Sequence, residues 1–99
     1  MGLKIRWSEH AVDELCEALA FIASDNKAAA QKLSAEVRVV TGRLRLYPMK
    51  GRMVPERKDP SLREVIVGPF RIIYSIREPS VIRILAAIRA ERSLPNDLG

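Results

Sequence analysis

VGPFRIIYSI, residues 67–76, decides how this chain folds. A Gly-Pro pair near its start marks a tight turn, because glycine supplies unusual backbone angles and proline fixes the next one. Upstream lies LREVIV at 62–67; downstream, beyond the Glu-Pro-Ser of 78–80, lies VIRILAAI at 81–88. Each run has strand length and is rich in β-branched residues. Connections of two and three residues force antiparallel neighbours, so strands over roughly 62–67, 70–77 and 81–88 form a meander.

Alternation divides these strands between two faces. In the middle strand Phe70, Ile72, Tyr74 and Ile76 share one face, and Arg71, Ile73, Ser75 and Arg77 share the other. In the last, Ile82, Ile84, Ala86 and Ile88 oppose Val81, Arg83, Leu85 and Ala87. The first face is apolar and must be covered. The second mixes arginine with aliphatic residues, which predicts a partly covered, basic surface.

What covers the apolar face lies toward the N-terminus. LKIRW (3–7) alternates as a short strand, and Ser8 follows as a helix N-cap, with Glu9, Asp13 and Glu14 in the first turns. Val12, Leu15, Leu19 and Ile22, with Cys16 beside them, make an amphipathic stripe, so Cys16 is expected to pack in the core. Asp25 or Asn26 caps a second helix from about Lys27 to Leu46, striped by Ala30, Leu33, Val37, Val40 and Leu44, with fraying near Gly42. Two helices joined this closely fold back as a hairpin. Residues 48–61, PMKGRMVPERKDPS, show neither a strand nor a helix period and read as one long loop. The order β-α-α-β-β-β predicts a single two-layer α+β domain over 1–99.

Ninety-nine residues at 47% hydrophobic content suffice for one core without disulfide or metal support. The lone cysteine, the missing signal-peptide pattern and the lack of any apolar run near 18 residues predict a soluble cytoplasmic protein. No cofactor is expected. Charge is uneven: residues 1–37 hold four basic and six acidic side chains, whereas 38–92 hold thirteen basic and five acidic. Such a field attracts an acidic partner.

The motifs L..YP.KGR at 44–52, LREVIVGPFRIIYSI at 62–76 and VIRILAAIRAERSLP at 81–95 resemble the RelE/ParE superfamily of type II toxins, closest to the ParE-like branch. The resemblance implies a helix hairpin on an antiparallel sheet, and a cognate antitoxin whose acidic, partly disordered segment folds on binding. It also implies Arg63, Arg71 and Arg89 on a functional face, with Arg83 and Arg52 as further contacts for target or antitoxin.

The superfamily divides between ribosome-dependent mRNA endonucleases (RelE-like) and DNA gyrase inhibitors (ParE-like). Cleavage by 2′-hydroxyl attack needs a base and an acid as well as cations. Arginine is a poor base. His10 reads as an exposed first-turn residue and Tyr74 as a core ring with its hydroxyl at the edge. Residues 89–99 contain no tyrosine or histidine, and Lys50 or Lys58 would serve only with a lowered pKa. The ParE-like reading, a basic and apolar surface without a catalytic set, is therefore preferred. A RelE-like nuclease and a non-toxic binding module are its alternatives.

Overall fold

The structure is a computed structural model that describes residues 2–94. Strand β1 (Lys4–Trp7) leads into helices α1 (Glu9–Asp25) and α2 (Lys27–Arg43). A short 3-10 turn (Pro48–Lys50) and β2 (Arg52–Met53) precede β3 (Leu62–Val67), β4 (Phe70–Glu78) and β5 (Val81–Arg89). The sheet order is β1-β5-β4-β3-β2, with β1 parallel to β5 and the other pairs antiparallel. The predicted two-layer α+β order holds, and the supposed loop adds a fifth, two-residue strand at the far edge. The expected single domain over 1–99 extends at both ends beyond the described residues.

Local chemistry sets the boundaries. Ser8 caps α1 by accepting the Ala11 N–H at 3.0 Å, and Asn26 caps α2 by accepting the Ala29 N–H at 3.0 Å. Helix α2 stops at Arg43, three residues before its expected end. Leu44, Arg45 and Leu46 then donate to the carbonyls three residues back, tightening the last turn beside Gly42. At the β3–β4 turn Gly68 has φ +56°, the one positive φ among the described residues, and a side chain there would also press on Leu33.

The hairpin covers one sheet face. Leu33, Val37 and Leu44 meet Val67, Phe70, Ile72, Tyr74, Ile82 and Ile84, all essentially buried. Each such side chain contributes on the order of 1.5–3 kcal/mol. Leu15, Leu19 and Ile22 of the α1 stripe pack against the core as predicted, but its first turn departs. Ala11 is fully buried, Val12 is 41% exposed and Cys16 is exposed, which corrects the core assignment of Cys16. A small side chain permits the close approach of helix to sheet that valine would prevent.

Strand β5 carries a second correction. Ile73 pairs with Ala86 but Tyr74 pairs with Ile84, so Leu85 is an extra residue, a β-bulge. Beyond it the faces exchange: Ala87 joins the helix-side core, and Ala86 turns to the opposite face. Backbone groups at the bulge are satisfied from α1. Ser8 Oγ donates to the Leu85 carbonyl at 3.3 Å, and the Ala87 N–H donates to Glu14 Oε1 at 2.9 Å.

Candidate functional site

The face expected to stay partly open is covered at its centre and open toward Arg52, Ile66 and Arg83. Val54, Leu62, Ile73, Ala86 and Leu94 form a second small core on it, brought together by the 54–62 segment and the residues after β5. At its centre Arg71 is only 5% exposed. The cation stays charged because carboxylates surround it. Its Nε donates to Glu64 Oε1 at 2.7 Å, and its Nη1 and Nη2 donate to the two oxygens of Glu56, each at 2.8 Å. Nη1 also donates to the Arg92 carbonyl at 2.7 Å.

The network continues in both directions. Glu64, 1% exposed, accepts from Arg52 Nε through its second oxygen at 2.5 Å. Glu56 accepts the Leu94 N–H at 2.7 Å. The hydrogen bond from Arg71 holds the Glu56 carboxyl down at about 2, outweighing the opposing effect of burial, and the same partner raises Arg71 above its ordinary range. Four charged side chains thus tie β2, β3, β4, the 54–60 loop and the C-terminal segment into one unit. Two guanidinium groups and two carboxylates balance.

The five predicted arginines do not share a plate. Residues directly opposite in an antiparallel pair share a face. Arg63 pairs with Tyr74 and Arg89 with Phe70, placing both at the margins of the helix-side face. Arg71, opposite Ile66, lies on the outer face, as does Arg83, opposite Ser75. Arg52 joins that face opposite Glu64. The expectation of a single cationic surface is corrected accordingly. The side chains of Arg52, Arg83 and Arg89 remain 64%, 52% and 57% exposed. Arg83 pairs with Glu78 and Arg89 with Glu91, at 2.5 and 2.8 Å. Arg63 Nη1 donates to the Gly51 carbonyl at 3.0 Å.

Of the candidate proton-transfer groups, His10 stands apart from these cations and Tyr74 is already engaged. His10 is exposed near the start of α1, with its Nε2 3.3 Å from Glu14. Tyr74 is completely buried, as expected, and its hydroxyl has two partners: it donates to the Pro48 carbonyl at 2.7 Å and accepts the Gly51 N–H at 2.9 Å. Burial raises its pKa further from neutrality. The tail reading of 89–99 falls partly on residues 95–99, outside the described residues. Glu56, Glu64 and Gly51 were not singled out as site residues from sequence, although all three build this region.

No helix among the described residues is long and apolar enough to cross a membrane. No curated protein matches the chain in sequence. A solved structure titled "Chromosomal ParDE TA system from P. aeruginosa" is similar in fold, with a TM-score of 0.74 at 18% identity, covering 90% of this chain and 97% of that one. The family model described as "ParE toxin of type II toxin-antitoxin system, parDE" matches residues 5–94. Matched over nearly its whole length, the chain belongs to the ParE toxin family of type II toxin–antitoxin systems.

Proposed function

We propose that the protein acts inside the cell as a poison of DNA gyrase and is held inactive by an antitoxin with an acidic segment. Its mode of action is binding, without proton transfer by its own side chains. The observation that carries this reading is the engagement of Tyr74. A nuclease built on this sheet needs a group able to exchange a proton beside its arginines. The strand tyrosine has both hydrogen-bonding positions filled by backbone and a pKa raised by burial. The exposed cations Arg52, Arg83 and Arg89 supply the outward charge for target or antitoxin. Arg71, being buried, acts through the segments it braces, and Arg63 through the loop carbonyl it holds. The net of eight positive charges over residues 38–92 suits an acidic partner.

Induction of the gene alone in a bacterium tests the proposal. A gyrase poison produces filamentous cells and a DNA-damage response, relieved by co-expression of the antitoxin. Rapid translation arrest with cleaved mRNA would overturn it in favour of the nuclease, and unimpaired growth in favour of a non-toxic binding module.

A further inference from the structure

Eight large apolar side chains are exposed among the described residues, and four of them fall in one elbow between α2 and β3: Leu46, Tyr47, Met49 and Met53, at 66%, 64%, 57% and 45%. The backbone beneath them is pinned. Tyr74 bridges the Pro48 carbonyl and the Gly51 N–H, Arg63 donates to the Gly51 carbonyl, and the Lys50 N–H donates to the Tyr47 carbonyl at 3.1 Å. Gly51 leaves no space for adjustment, since an added Cβ would lie 2.5 Å from both Tyr74 Oη and the Glu64 carbonyl oxygen. A buried tyrosine and an obligatory glycine thus hold large apolar groups out in water. Prearranged anchors of this kind bind with less ordering cost, and aromatic residues and methionine are enriched at interface cores.

The charge around the elbow narrows the occupant. Residues 38–55 carry five basic side chains and no acidic one. Arg38, Arg43 and Lys50 are exposed and have no carboxylate partner among the described residues. Tyr47, Pro48, Met49 and Lys50 line an open hollow there. A phosphate backbone would use the cations but gain little from leucine and methionine, and one ring is a poor stacking platform. We propose that the 46–53 elbow docks an acidic peptide segment of another chain, its apolar side chains seated on Tyr47 and Met49 and its carboxylates facing Lys50 and Arg43. The proposal rests on the function proposed above, which makes this segment the antitoxin's.

The test titrates the full-length protein with the purified product of the short reading frame adjoining its gene. Tyr47→Glu and Met49→Glu are expected to weaken binding at least 100-fold, and Lys50→Glu about 10-fold, with unchanged thermal unfolding. Val12→Glu, at an exposed apolar position outside the elbow, serves as the control and binds like the wild type. A photo-crosslinking residue at position 49 is expected to capture the acidic segment. Undiminished binding by both glutamate variants would overturn the elbow assignment and leave the toxin–antitoxin reading intact. Competition by a short DNA duplex for the crosslink would also overturn it, in favour of a nucleic-acid surface. If the wild type fails to bind the adjoining product, both readings fall together.

Discussion

Arg71 and Glu64 form a buried, two-pronged ion pair: both Nε and Nη2 of the arginine reach Glu64 Oε1, at 2.7 and 2.6 Å. Neither side chain is more than 6% exposed. Removing one partner strands the other charge in the interior, whereas removing both does not. Arg71→Ala and Glu64→Gln are each expected to cost about 3–5 kcal/mol, and the double variant far less than their sum. Chemical denaturation of the three variants measures this, and additive losses would mean that the two residues are not coupled. Reversing the charge of Arg63 and Arg71 together is therefore expected to unfold the protein.

Glu56 predicts the acid limb of stability. Its carboxyl is lowered from 4.5 to about 2 by Arg71, so the folded state favours the ionised form. That contribution is complete above the unfolded value and fades as pH falls from about 4.5 through about 2. Asp59, lowered to about 2 by Ser61 and Arg77, acts in the same window. Stability should be nearly flat from pH 7 to 5 and decline below. Glu56→Gln should flatten that decline and lower stability at pH 7; equal slopes in both proteins would contradict the assignment.

The elbow gives a local prediction. Tyr74→Phe removes a hydroxyl that satisfies Pro48 and Gly51, at a cost of about 1–3 kcal/mol. Hydrogen exchange should quicken at Gly51 while α1 stays protected. Gly51→Ala, which forces a Cβ against backbone, should cost about 1–3 kcal/mol through overpacking. An alanine variant as stable as the wild type would show that the elbow can shift.

Sequence revealed the meander because β3 and β4 are apolar strand-length runs split by the two-residue turn Gly68-Pro69. The lack of alternation concealed the bulge: Leu85, Ala86 and Ala87 are all apolar, so a slip of one residue leaves no mark in the pattern. The Arg71–Glu64 pair was within reach. A two-residue turn that places Val67 opposite Phe70 sets Glu64 and Arg71 on one face, a diagonal apart. Glu56 was not, because it arrives from a loop whose path depends on tertiary contacts. The exchange of Val12 for Ala11 at the start of the α1 stripe has a similar cause. Hydrophobicity favours Val12 over Ala11, but the close approach of helix to sheet requires the smaller residue.

The exposed arginines allow the proposed contact surface to be tested apart from folding. Arg83 and Arg89 make surface pairs with Glu78 and Glu91, worth about 0–1 kcal/mol each. Arg83→Glu with Arg89→Glu should leave unfolding within that range of the wild type while relieving growth inhibition. Full toxicity in the double variant would remove both residues from the contact surface.

The most direct measurement uses purified protein, gyrase and relaxed plasmid, with a ribosome-programmed mRNA reaction in parallel. A ParE-like poison inhibits supercoiling and accumulates gyrase covalently joined to cut DNA, while the mRNA stays whole. Intact gyrase activity with cleaved mRNA would contradict the binding-only reading and return the chain to the nuclease branch.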